Sequence, residues 1–146
     1  MAAKGLLGSG QETVFKIDDS GDTLRTITSY VTKISMDLKG HGLVDVTCFG
    51  DTGRKWASDA LEDCSFNLEA WFNDLADTGS WTVLQGIRNA TANSDFEIYP
   101  FGTTAGYPKI SGDCWMESIN LDMSVAGIVK IGASFKIHGV PTVGTA

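Results

Sequence analysis

The chain has 146 residues, enough for one domain that buries about two-thirds of its unfolded surface. Its 17 Gly and 3 Pro fit a β-rich domain with frequent tight turns, and they argue against a Pro-rich linker or a disordered tail. The net charge of -7 and the pI of about 4.6 disfavour tight binding to nucleic acid, which depends on Lys and Arg contacts with phosphates.

In chain order, the first segment is Gly-rich and has no periodicity, so residues 1–12 are predicted to form a flexible N-terminal arm. A single β domain is predicted over residues 13–138. Alternating apolar and polar residues predict its early strands, which are residues 13–17, 30–37, 43–49, 64–72 and 96–99.

Two segments interrupt this β pattern. Residues 50–63 are predicted to form a long loop with a helical turn at residues 58–61. Trp56 lies in this loop, and because an indole must be covered we expect it to pack on its own domain, or else on a partner. Between Ser80 and Ala92 the apolar spacing changes to that of a helix face, although Gly86 lies in mid-segment.

Two long strands are predicted near the end of the chain. Within residues 128–138 the odd positions from 129 are apolar and the even positions from 130 are polar or small, which predicts one buried face. In the preceding strand Trp115, Glu117, Ile119 and Leu121 fall on one side, and neither face is uniform. A mixed face on a long strand predicts a surface that another copy of the protein covers. Residues 139–146 are predicted to be a C-terminal arm.

Catalytic and metal-binding patterns are weak. His41 lies between two glycines and His138 ends a strand, and neither has a nucleophile and an acid beside it in sequence. Three widely spaced cysteines, with Cys48 expected to be buried beside Phe49, do not form a zinc motif and suit a reducing cytoplasm. We therefore expect no enzyme activity and no cofactor.

The N-terminal apolar run is too short for a signal peptide, and no stretch has the length of a membrane span, so we expect a soluble protein. The predicted elements amount to about seven strands and one helix. They define a mainly β fold, a β-sandwich or barrel with one flanking α-helix.

This order of elements resembles that of the major tail tube proteins of long-tailed, non-contractile bacteriophages. The resemblance covers roughly residues 25–140. It rests on residues 44–51 before the long loop, 66–74 with the short helix after them, 99–102, 110–113, 118–119 and 129–139. Many relatives carry an additional immunoglobulin-like domain, and the resemblance gives no support for one within these residues.

The resemblance implies hexameric rings that self-assemble into a hollow tube with one continuous inner barrel. Genomic DNA would pass through the tube into the host as cargo, which an acidic chain suits because it does not hold phosphates. The implied partners are other copies of the chain, a tape measure protein in the lumen, a tail terminator and tail-tip or baseplate proteins, with no membrane. The implied location is the virion tail, assembled in the host cytoplasm.

The resemblance also implies roles for particular residues. The arms and the long loop would make contacts between subunits and rings, through Leu6, Leu7, Arg54, Lys55, Trp56, Val140 and Val143. The faces of the two long strands that point away from the core would line the lumen, with candidates Lys130, Ser134, Lys136 and Glu117.

Two alternative functions remain open. An inner-tube protein of a contractile tail or of a type VI secretion system would share the architecture. A β-sandwich that binds carbohydrate or another small ligand could use tryptophans as stacking platforms, namely Trp56, Trp71, Trp81 and Trp115.

Overall fold

The computed structural model describes residues 8–146, so the predicted contact residues Leu6 and Leu7 lie outside it. The strands are β1 (Val14–Asp18), β2 (Leu24–Thr26), β3 (Val31–Asp37), β4 (Leu43–Asp45), β5 (Trp56–Ser58), β6 (Ser65–Trp71), β7 (Ser94–Tyr99), β8 (Pro108–Asp122) and β9 (Lys130–Thr145). One α-helix, α1 (Ser80–Gly86), lies between β6 and β7.

Seven strands form one antiparallel sheet in the order β2-β1-β7-β8-β9-β6-β3, and β4 and β5 form a separate hairpin. The large sheet curls on itself, because Phe66 of β6 meets Phe15 of β1 across the core, with ring centroids 6.0 Å apart. The predicted mainly β fold with a single flanking helix is confirmed.

The core is built on the strands with the strongest alternation. Phe66 stacks on Phe135 of β9 at 4.7 Å and packs against Phe96 of β7 at 4.8 Å. The predicted buried face of β9 is confirmed, with buried side chains at Ile131, Ala133, Phe135 and Ile137. Phe66 therefore joins the two layers of the curled sheet, one containing β6 and β9 and the other containing β1 and β7.

A β-bulge explains the mixed faces of β8. Met116 is opposite Phe135 and Ser118 is opposite Ser134, so Glu117 is an extra residue in β8. The bulge reverses the alternation, so that Ile119 packs against the core while Trp115 lies on the other face. The prediction that Trp115, Glu117, Ile119 and Leu121 share one face was wrong for this reason.

The predicted C-terminal arm is a second correction. Residues 139–145 continue β9, where Thr142 is opposite Ser111 and Thr145 is opposite Pro108. The two halves of the strand are separated by a register shift that spans Gly139 and Pro141. Gly139 has a φ of 75°. Gly and Pro read as breakers in sequence, but a bulge accommodates both within a paired strand.

The predicted long loop contains a strand. Trp56 in β5 is opposite Asp45 in β4. The Val46 N–H extends this pairing, because it donates to the Lys55 carbonyl oxygen at 2.9 Å. The predicted helical turn at 58–61 is absent from this described segment, because Ala60 has a φ of 62°. Cys48 is exposed and not buried, since it lies on the hairpin away from the core.

The helix is shorter than predicted and ends at Gly86 instead of near Ala92. A Cβ atom at Gly86 would lie 3.3 Å from the Cβ of Ser20, so the close approach of the turn after β1 favours glycine there. In residues 8–146 the structure has no helix long and apolar enough to cross a membrane.

Of the predicted N-terminal arm, residues 8–12 fall within the structure. Gly10–Glu12 forms a short 3-10 turn, and Thr13 then anchors the chain because its hydroxyl donates to the Pro100 carbonyl oxygen at 3.0 Å.

Candidate subunit interface

Four strands, β3, β6, β9 and the second half of β8, form a layer with two free edges. β7 pairs with β8 only as far as Cys114, so residues 115–122 have β9 on one side and no strand on the other among the described residues. At the opposite side of this four-strand layer, β3 pairs with β6 alone within residues 8–146. Exposed edges of this kind are templates for pairing with another chain.

The directions of the strands allow these edges to pair with each other. Each neighbouring pair in the layer is antiparallel, so β8 runs opposite to β3. When copies are placed side by side in the same orientation, β8 of one copy therefore meets β3 of the next as an antiparallel pair. An even number of strands makes the whole layer alternate without a break.

The face of the layer that points away from the core is polar. One row across it has small uncharged side chains at directly opposed positions, and this row is Ser35, Asn67, Ser134 and Ser118. Three lysines and three carboxylates flank the row, namely Lys33, Lys130, Lys136, Asp37, Glu69 and Asp122, and exposed Glu117 adds a fourth carboxylate. The predicted lumen residues Lys130, Ser134 and Lys136 thus lie together on this face.

Two of the three lysines of this face have local partners. The Lys136 ammonium lies 3.6 Å from Asp63, and the Lys130 ammonium lies 5.1 Å from the centre of the Trp71 ring. Such partners reduce the positive potential that these side chains present to solvent.

Each free edge has a cleft behind it, which is mainly apolar beside β3 and of mixed polarity beside β8. A cleft of about 650 Å³ lies beside β3 and is lined on that strand by Ile34 and Met36, with Phe15 and Ile110 opposite them. A smaller cleft of about 320 Å³ lies beside β8, where Ile119 and Leu121 face α1. The core is therefore open at both of the edges that lack a strand partner.

The β4–β5 hairpin presents a second exposed surface. Asp45 accepts from the Arg54 guanidinium at 2.6 Å, and the Lys55 ammonium lies 2.9 Å from Asp51. Two of the predicted contact residues, Arg54 and Lys55, thus stabilise the hairpin itself. Hydrogen bonds from Thr47, followed by the contact with Arg54, lower the pKa of Asp45.

Trp56 is 57% exposed, so the expectation that it packs on its own domain was wrong. The hairpin forms a two-stranded sheet of its own, and its other large exposed apolar side chains are Leu43, Val44, Val46 and Phe49. So many exposed large apolar side chains on one small element suit a site of protein contact.

The other predicted contact residues, Val140 and Val143, are exposed on the last part of β9. They lie far along the strand from Lys130, at the end that pairs with Lys109 and Ile110. The structure therefore does not bring them together with Trp56 on one element.

The tryptophans do not form an open platform for a planar ligand. Trp81 stacks on Phe72 at 5.2 Å, and Trp71 is covered by the Lys130 ammonium. Trp115 and Trp56 lie on different sheets.

Three carboxylates form a row on adjacent strands. Asp95 of β7 is directly opposite Asp113 of β8, and the Asp18 carboxylate of β1 accepts from the Asp95 backbone N–H at 2.9 Å. The pKa of Asp95 is raised to about 6. The largest cause is the hydrogen bond that it shares with Asp113, followed by desolvation and then by repulsion from Asp18, Asp113 and Asp22. His138 of β9 is opposite Asp113 and continues the row.

We expect the Asp95→Asn variant to be more stable than the parent chain above pH 6, by about 1 kcal/mol after allowance for solvent screening. The pKa of Asp95 is higher in the folded state than the ordinary value of about 3.9, so the folded state holds the proton more tightly. Stability therefore falls as pH rises from about 4 to about 6, and the asparagine removes that loss. Urea unfolding at pH 4, 6 and 8 measures the difference.

Asp74→Asn is the control for this variant, because it removes one exposed carboxylate outside the row. A stabilisation by Asp95→Asn that was equal at pH 4 and pH 8, or equal to that of the control, would contradict the repulsion argument.

Comparison with known proteins gives the class of the fold. No protein-family model and no curated protein sequence matches the chain. Among solved structures, a chain from the tail of an empty gene transfer agent particle, refined with C6 symmetry, aligns with a TM-score of 0.74 and 19% identity over 96% of this chain and 100% of that one.

Two other solved structures extend the comparison. A chain of the SPP1 tail tube aligns with a TM-score of 0.72 and 14% identity, over 94% of this chain and 79% of that one. A chain from the sheath-tube complex of the PVC extracellular contractile injection system aligns at 0.64 with 9% identity, over 98% and 94%. The chain therefore has the fold of tail tube subunits, as the resemblance to major tail tube proteins implied.

Proposed function

We propose that this protein is a structural subunit of a hollow tail tube, in which six copies close into a ring and the rings stack. The observation that carries the proposal is the pair of free edges on the four-strand layer, β3 on one side and residues 115–122 of β8 on the other. Joining these edges around a ring leaves no exposed edge in this layer, as in a closed barrel. Because each copy contributes four strands, six copies would give a barrel of 24 strands.

The polar face of the layer would then line the lumen. Its central row of Ser and Asn side chains offers no charge to a phosphate backbone, and its lysines are matched by at least as many carboxylates. A wall of this composition lets DNA pass without holding it. DNA is thus cargo and not a ligand.

The hairpin would connect successive rings, because it projects from the large sheet as a separate element with exposed Trp56. Contacts of this kind are heterologous and do not close, so they build a stack of any length. A tape measure protein in the lumen, a tail terminator and tail-tip or baseplate proteins are the partners that would set the length and the ends. The protein would be non-enzymatic and located in the virion tail after assembly in the host cytoplasm.

A second candidate is the inner tube of a contractile system, which the alignment with the contractile injection system favours. The higher TM-scores of the gene transfer agent tail and the SPP1 tail tube support the non-contractile assignment. Binding of a sheath protein to the outer surface of assembled tubes would favour the contractile alternative.

Electron microscopy of the purified full chain tests the proposal. We expect rings and tubes roughly 100 Å wide, from six small domains arranged around a pore. Sedimentation as a monomer at every concentration, with no rings on the grids, would contradict a tube function and favour a monomeric binding domain.

A further inference from the structure

We propose that neighbouring subunits in the ring pair in one register, set by an ion pair between Lys33 of one copy and Asp122 of the next. This inference rests on the proposed function, because it assigns the residues that join the two free edges. The partner at each edge is a second copy of this chain.

The two residues lie on opposite edges of the layer and have no ion pair in the subunit. Lys33 is exposed on β3, and Asp122 is exposed near the end of β8. Neither takes part in a salt bridge among residues 8–146. The cross-strand neighbour of Asp122 is Lys130, whose ammonium lies over the Trp71 ring, and that of Lys33 is Glu69.

The alternation of the strands restricts the possible registers. On β3, Lys33 and Asp37 point away from the core while Ile34 and Met36 pack against it. After the bulge in β8 the side chains that point away from the core lie at 118, 120 and 122. A shift by one residue would place charged side chains against the open core, so Lys33 must face one of these three positions.

Charge selects among the three registers. With Lys33 opposite Asn120, Asp37 of the same strand would lie beside the bulged Glu117 of the neighbour. With Lys33 opposite Ser118, the lysine would again have no carboxylate directly opposite. Only the register with Lys33 opposite Asp122 places unlike charges directly across the seam, which is the favourable arrangement for cross-strand pairs.

The same register matches the other side chains on both faces. On the polar face it sets Ser35 opposite Asn120 and Asp37 opposite Ser118. On the core face it sets Ile34 opposite Leu121 and Met36 opposite Ile119. These four apolar residues line the two clefts beside the free edges, so the two openings would become one continuous core across the seam.

The register also supplies a stagger. Within the subunit, Lys33 lies level with Asn120 through the ladder partners Glu69 and Gly132. Pairing with Asp122 instead shifts each copy by two residues relative to its neighbour. A closed barrel requires its strands to be staggered and tilted, so a shift at each seam is expected.

Exchange of the charges tests the pair in the full-length chain. We expect Lys33→Asp and Asp122→Lys each to raise the protein concentration needed for rings about tenfold, because like charges then face each other at every seam of the ring. A mixture of the two variants should assemble like the parent chain. In a ring of alternating variants each seam has one Asp and one Lys, and six is an even number.

The mixture separates a seam defect from a folding defect. Lys33→Asp places a second acid beside Glu69, and Asp122→Lys places a second base beside Lys130, and mixing relieves neither repulsion. Recovery of rings in the mixture therefore supports the pair. Single variants that assemble like the parent chain, or a mixture that stays defective, would overturn it.

Neutral variants provide the test if a charge reversal prevents folding. Lys33→Gln and Asp122→Asn should each weaken ring formation, and the double variant should be no worse than either single one, because both remove the same interaction. Losses that multiply in the double variant would overturn the pair. If the parent chain itself forms no rings, the proposed function fails as well, whereas rings that ignore these substitutions overturn the seam alone.

Discussion

Replacing Trp56 with alanine is expected to leave a folded subunit that closes into rings but does not form tubes. The indole is 57% exposed on the β4–β5 hairpin, so its removal takes little from the core of the subunit. In a stack it would be buried between rings, where truncation of an interface tryptophan costs about 2 kcal/mol or more. The loss is repeated for every copy in the ring.

Leu75→Ala is a matched control, since Leu75 is also 57% exposed but lies in the turn before α1. Urea unfolding of both variants should agree with that of the parent chain within about 0.5 kcal/mol, as for most surface substitutions. Micrographs should show tubes for Leu75→Ala and single rings for Trp56→Ala. Tubes of normal length from Trp56→Ala would contradict the prediction that the hairpin makes the ring-to-ring contact.

Replacing Phe66 with alanine is expected to destabilise the subunit by about 3 to 5 kcal/mol. The ring is 1% exposed and contacts Phe15, Phe96 and Phe135, so it joins β1, β7 and β9 across the core. Truncation leaves a cavity between both layers, and for a domain of this size that loss is a large fraction of the total stability.

The measurement is the midpoint of urea or thermal unfolding, with Leu68→Ala as a comparison at an equally buried position on the same strand. We expect Phe66→Ala to cost more than Leu68→Ala, because the aromatic ring fills more volume and makes ring contacts that leucine lacks. A smaller cost for Phe66→Ala would show that the two layers do not depend on this contact.

The strands that the sequence predicts well are those buried on one face and paired on both sides. β6 and the first half of β9 alternate without interruption, so period-2 patterning predicts them and their core residues Phe66 and Phe135. The helix was located by its apolar spacing, but its end was missed. Gly86 is the last residue of the helix and not a weak point within it, and the close approach of Ser20 favours glycine there.

The remaining errors come from information that lies in a partner strand. The bulge at Glu117 and the one at Gly139–Pro141 are defined by the residues opposite them, so a single segment cannot reveal them. β4 lies within the strand predicted at residues 43–49, but β5 lies in the segment predicted to be a loop, because it has three residues and buries none of their side chains.

The sequence predicts only part of the candidate site, because the rest depends on how the strands are paired. Lys130, Ser134 and Lys136 were placed on one face correctly, because that face follows from alternation alone. Sequence reasoning does not single out Lys33 and Asp122, since their proposed pairing depends on which strands end at the edges of the layer. The signal available in the sequence was one lysine on an otherwise polar face of β3, which is too common to interpret without topology.

If the four-strand layer closes into the proposed tube wall, its even number of strands also limits how such a subunit can evolve. Adding or losing one strand would make the joined edges run parallel and would break the alternation of the wall, so strands can be gained or lost only in pairs. A whole hairpin, like the one formed by β8 and β9, is therefore the smallest unit of insertion that keeps the wall closed. A lineage that needed a wider bore could otherwise obtain it by recruiting more copies into each ring or by tilting the strands further.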